Sequence, residues 1–108
     1  MPPITRRLAM LSPLAAALAP TAARAALRHQ VTIRQMRFEP SRLTIGAGDT
    51  VTWVNRDTAR HTATDTGGRW GTGVLRPGAA GTVTFATPGT YDYACALHPS
   101  MRGRITVT

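Results

Sequence analysis

Lysine is absent from this chain, cysteine occurs once, histidine three times, and five acidic residues face 13 arginines. Each scarcity excludes something. The lone Cys95 rules out an internal disulfide and any zinc site built on paired cysteines. Three histidines, His29, His61 and His98, cannot furnish two metal centres. No Ser/His/Asp set or paired carboxylate grouping is present, so the chain alone is not expected to be an enzyme. The longest apolar run, Leu8 to Ala19, is interrupted by Ser12 and Pro13. It falls short of the roughly 20 residues that cross a bilayer. No segment carries apolar residues at helical period, which excludes a helix bundle.

What is present begins with a leader. Arg6 and Arg7 precede the apolar run, and Ala23-Arg24-Ala25 places small residues at the −3 and −1 positions of a cleavage site. That is the layout of a secretory signal peptide, expected over residues 1–25 and removed to leave a domain at 26–108. A packed amphipathic helix is the competing reading, and the Ala-rich run lacks the stripe it would need. Thr5-Arg6-Arg7 also admits the twin-arginine route beside the general secretory one. Either route makes the periplasm the expected location. The mature chain would hold ten arginines against five acids. A net charge of that sign suits acidic partners. The arginines are scattered and no nucleic-acid motif accompanies them, so nucleic acid is not expected. No membrane span remains after cleavage, and a monomer is expected. His29 falls fourth in the mature chain. Cleavage one residue later would allow an N-terminal Cu(II) chelate there, but an ordinary surface role is the simpler expectation.

The mature text alternates with period two. Val31 and Ile33, Leu43 and Ile45, Thr50 to Asn55, Thr82 to Phe85, Tyr91 to Cys95 and Arg104 to Val107 read as strands, separated by Gly and Pro turns. Short strands at regular spacing predict an all-β sandwich or barrel, with Trp53, Phe85 and Val107 in the core. Thr64 to Ala80 is glycine-rich and reads as a long loop. It is expected to carry a short strand at Gly73 to Leu75, with Trp70 anchoring it over the core. A domain this short commonly needs a metal, disulfide or partner to be robust.

The informative stretch is Cys95-Ala96-Leu97-His98-Pro99-Ser100-Met101. A tight loop leaving a strand can turn Cys95, His98 and Met101 toward one point, and His61 can supply a fourth donor. Thiolate and thioether are soft ligands and imidazole is borderline. Two His, one Cys and an axial Met is the donor set of blue-copper electron-transfer sites. Zinc could take Cys and two His, but methionine is not among its usual donors. Chance proximity of four ordinary residues is the remaining alternative.

Gly48-Asp49-Thr50-Val51-Thr52-Trp53-Val54-Asn55, followed by His61, resembles one half of a known signature. Pro88-Gly89-Thr90-Tyr91-Asp92-Tyr93-x-Cys95-x-x-His98-Pro99-x-Met101-x-Gly103 resembles the other half. Together they are similar to the cupredoxins, and within them to the amicyanin and plastocyanin group, over nearly the whole mature chain. The resemblance implies a Greek-key β-sandwich holding one copper ion that cycles between Cu(I) and Cu(II). It implies one-electron exchange with a donor and an acceptor protein docking near His98, across a patch that could include Ala96, Leu97, Pro99 and Met36. Copper storage or delivery is the alternative function. Relatives commonly carry Asn or Ser where this chain has Thr62, whose hydroxyl is expected still to tie the two ligand loops. Leu97 stands where amicyanin-like loops often have proline. Its N–H, aimed at the Cys95 sulfur, would raise the reduction potential above that of a Leu97→Pro variant. The chain is short at its N-terminus for the group, so an edge strand there is expected to be minimal or absent.

Overall fold

A computed structural model describes residues 24–108. The leader read over 1–25 therefore lies outside the described residues except for Arg24 and Ala25. Eight strands follow: β1 Arg28–Arg34, β2 Arg37–Glu39, β3 Arg42–Ile45, β4 Asp49–Asn55, β5 Thr64–Asp65, β6 Ala80–Phe85, β7 Gly89–Ala94 and β8 Arg102–Val107. They form two four-stranded sheets, ordered β2-β1-β4-β6 and β3-β8-β7-β5. Each sheet is mixed: β1 runs parallel to β4 and β3 parallel to β8, while the other pairs are antiparallel.

β4 shows how sequence becomes sandwich. Its side chains alternate between buried and half-buried along the whole strand. Val51 and Trp53 point into the core, and the inward positions at the two ends are the polar Asp49 and Asn55, both fully buried. Each polar end organises a loop. The apolar core cluster includes Trp53, Phe85 and Val107, as expected. Trp70 anchors its loop by stacking on Trp53 at 5.2 Å and 27°. Tyr93 meets Trp53 edge-on at 5.4 Å. Such aromatic pairs each contribute about 0.5–1.5 kcal/mol beyond area burial, which helps a small core without a disulfide. Tyr93 lies opposite Gly103 in the β7–β8 register. A Cβ at that glycine would collide with the Tyr93 ring, so the absent side chain makes room for the aromatic. Burial pushes the Tyr93 phenol up to about 12, keeping it neutral at ordinary pH.

Three features differ from the expectations. β2 is an additional three-residue strand, formed because Gln35 and Met36 take φ of 53° and 58° and close a two-residue hairpin. Residues 73–75 make no strand; Leu75 forms an isolated bridge to His61. The strand within that region is instead β5, two residues paired to β7. The strand read at Val31 and Ile33 is β1, which pairs along six residues of β4. His29 bonds the carboxylate of Asp49 at 2.9 Å through Nε2, which engages it structurally and not as a free surface imidazole.

Candidate metal centre

Two loops meet at one end of the sandwich. The first leaves β4 at Asn55, whose amide donates to the carbonyls of Ala59 (2.8 Å) and Leu75 (2.9 Å) and whose oxygen accepts the Asp57 N–H. Three bonds from one buried side chain fix the path of residues 56–61. His61 is then clamped by exchanging both backbone bonds with Leu75. The second loop leaves β7 at Cys95 and closes on itself. His98 N–H donates to the Cys95 carbonyl, Met101 N–H to the His98 carbonyl, and Cys95 N–H to the Met101 carbonyl. Those bonds turn Cys95, His98 and Met101 onto one short arc before β8 begins.

The result is a cluster. The Cys95 sulfur lies 3.7 Å from His61 Nδ1 and 3.6 Å from His98 Nδ1. The three donor atoms all fall within 4.8 Å of one another. Those separations fit one ion bonded to sulfur and nitrogen at about 2.0–2.3 Å. Cys95 and His61 are fully buried, Met101 is 3% exposed, and His98 is half-buried. His61, Cys95 and His98 thus converge, with Met101 on the same loop as Cys95 and His98, while His29 lies at the far end of β4 on Asp49.

Asp57 was not legible as part of this site. Its Oδ2 accepts from His61 Nε2 at 2.9 Å, which places the ring proton on Nε2 and leaves the Nδ1 lone pair facing the cluster. The Met36 N–H, then His61, hold the Asp57 carboxyl below the usual carboxylate range, so it is ionised for this task. The available signal was an acid four residues before a candidate ligand. Asp57→Ala is expected to weaken copper binding by about 10–100-fold, measured by competition against a chelator of known affinity.

Thr62 performs the loop-tying role expected of it. Its hydroxyl accepts the Ala96 N–H at 2.8 Å and contacts the Thr64 hydroxyl at 2.9 Å. Thr62→Val keeps the shape and removes the acceptor, so the metal-free protein should lose about 1 kcal/mol in chemical denaturation. Thr62→Ser should lose little. The expectation for Leu97 is corrected. The backbone N–H set on the Cys95 sulfur is that of Thr62, at 3.3 Å, because the first loop passes directly beside the sulfur. With no Leu97 bond to the sulfur among the described residues, the stated reason for a potential shift in Leu97→Pro is gone.

The donor set, a buried cysteine sulfur between two imidazoles with a methionine closing the loop, suits copper over zinc. Comparison with known proteins agrees. The family description "Cupredoxin-like domain" matches residues 7–107. Amicyanin of Paracoccus denitrificans is 39% identical over 82 residues, covering 71% of this chain and 63% of that protein. The chain thus spans somewhat under two thirds of that relative. Plastocyanin of Scenedesmus fuscus is 37% identical over 83 residues, covering 65% of this chain and 85% of the relative. Among solved structures, a Cu(I) amicyanin variant superposes with a TM-score of 0.67 at 34% identity, covering 81% of this chain and 86% of that one. A purple cupredoxin from Nitrosopumilus maritimus gives 0.66 at 29% identity, covering 74% and 99%. The chain belongs to the cupredoxin family, and one copper ion is its cofactor.

Proposed function

We propose that this protein is an exported carrier of single electrons, with copper held by His61, Cys95, His98 and Met101. The observation that carries the reading is the buried Cys95 sulfur flanked at 3.7 and 3.6 Å by the Nδ1 atoms of His61 and His98. Bound copper supplies a one-electron couple between Cu(I) and Cu(II). The protein's own contribution is to hold the donors still. Leu75 clamps the His61 backbone and Asp57 its ring, Thr62 donates to the sulfur, and the 95–101 loop is closed by its own backbone bonds. Ligands held this way need move little when the charge at the site changes. Burial of His61, Cys95 and Met101 keeps water from the donors. His98, half-buried on the second loop, is the ligand through which an electron reaches the surface.

Residues 1–25 serve as the leader and 26–108 as the mature monomeric domain in the periplasm, and the chain performs no catalysis of its own. Copper delivery is the competing reading. It would favour exposed, exchangeable sulfur ligands, whereas these are buried. The mature chain loaded with Cu(II) should show an intense visible thiolate-to-copper band and a reversible one-electron wave in voltammetry. A colourless protein that surrenders Cu(I) rapidly to a chelator would replace the carrier with a delivery protein.

A further inference from the structure

All five acidic side chains are already engaged. Asp49 meets Arg24 and His29, Asp57 meets His61, Asp65 meets Arg69, Asp92 meets Arg104, and Glu39 lies 3.7 Å from Arg37. The remaining arginines have no ion-pair partner among the described residues, and their placement is uneven. Arg34 ends β1 where the chain enters the Met36 turn. Arg56 follows β4 and donates its N–H to the Ile33 carbonyl. Arg60 precedes His61, Arg76 follows the Leu75 that clamps His61, and Arg102 follows Met101 and opens β8. All five side chains are exposed and all belong to the end that bears the metal cluster. Asp57, turned onto His61, and Glu39, beside Arg37, lie at that end, and Asp92, paired with Arg104, lies within the field of Arg102. Inside the collar the surface is uncharged. The loop Ala96 to Ser100 has no ionisable residue except His98, and Leu97 and Met36 are 47% and 42% exposed.

We propose that this end docks a redox protein whose electron-exchanging surface is ringed by carboxylates, with Arg34, Arg56, Arg60, Arg76 and Arg102 forming the complementary collar around an uncharged contact at His98. The inference rests on the carrier reading and adds the chemistry of the partner. An apolar centre with a charged rim is the usual division of labour: the centre makes the close contact, and the rim steers the encounter and sets its orientation. Unpaired cations keep their field available to a partner, which paired ones do not. A protein is favoured over an anionic membrane because the arginines share the end that bears the one half-exposed ligand, and the apolar surface there, chiefly Leu97 and Met36, offers little to insert into lipid.

The test is stopped-flow electron exchange between the copper-loaded protein and two probes, the acidic haem protein cytochrome b5 and the basic cytochrome c. The second-order rate with cytochrome b5 should fall at least about tenfold as salt rises from about 10 to 100 mM, where the screening length shrinks from about 30 to 10 Å. The rate with cytochrome c should rise or stay level. Arg34→Gln/Arg60→Gln/Arg102→Gln should bring the low-salt rate with cytochrome b5 toward its high-salt value. Arg28→Gln, at the opposite end of β1, should not. The visible band and voltammetry of the same samples separate the two claims: their absence defeats the carrier reading. An intact copper signal with salt-indifferent rates, or with Arg28→Gln matching the triple variant, overturns the collar. Sedimentation with phosphatidylserine vesicles that depends on the three arginines, together with indifference to cytochrome b5, overturns it in favour of a lipid surface.

Discussion

Cys95→Ser is expected to fold normally and to lose the visible copper band entirely. In the proposed site the sulfur is the donor responsible for that absorption, and serine at neutral pH offers a protonated hydroxyl in its place. The loss of affinity should exceed the roughly 10–100-fold expected for losing a supporting group such as Asp57. The fold should survive because the replacement opens almost no cavity. The Thr62 N–H, 3.3 Å from the sulfur, keeps an acceptor when oxygen replaces it. Melting curves separate these effects. Copper at about 100 times its dissociation constant should stabilise the wild-type protein by about 2.7 kcal/mol through preferential binding to the folded state. The same addition should leave the melting temperature of Cys95→Ser nearly unchanged, while the two metal-free proteins melt close together. A variant that kept its colour would show that the sulfur of residue 95 is not the donor, and the donor set would have to be rebuilt.

The order of the two ligand loops was readable because a metal imposes chemistry on residue type. A thiol, an imidazole and a thioether at spacing three have few other reasons to share one loop, and only two other histidines remained to complete them. The supporting bonds were not readable in the same way. Asn55, Asp57 and Thr62 are short polar residues that can satisfy loop backbone in many arrangements, and only the folded path selects which. The two missed strands have a related cause. Arg37–Glu39 and Thr64–Asp65 are too short to show alternation, and each exists because a longer neighbour, β1 or β7, offers it unpaired backbone. The Leu97 expectation failed on direction: spacing gives the presence of an N–H but not where it points.

Asp49 carries the second large effect. It sits fully buried at the start of β4 and accepts five hydrogen bonds. Arg24 donates through both terminal nitrogens (2.9 and 2.8 Å), and the Leu27 and Gly46 N–H groups and His29 Nε2 each donate at 2.9 Å. Gly46 leaves room for the guanidinium, because a Cβ there would strike it. The Arg24 bonds above all, then the Leu27 N–H, hold the Asp49 carboxyl far below the usual carboxylate range. A carboxyl whose folded pKa is depressed contributes stability above its unfolded pKa and loses it as pH falls toward the folded value. Acidification below the ordinary carboxylate range should therefore destabilise the wild type, and Asp49→Asn should show a weaker acid dependence. At neutral pH Asp49→Asn should melt clearly lower, since an amide offers one acceptor oxygen where the donors now meet two and turns an N–H pair toward the rest. The expected cleavage after Ala25 removes Arg24. It also creates an α-ammonium at Ala26, one residue before the N–H that already bonds Asp49. A chain beginning at Ala26 should thus melt close to one beginning at Arg24, whereas the same chain with its amine acetylated should melt clearly lower. Equal melting of the free and acetylated chains would show that the carboxylate takes no cation from the new terminus, and that the Leu27, His29 and Gly46 donors suffice.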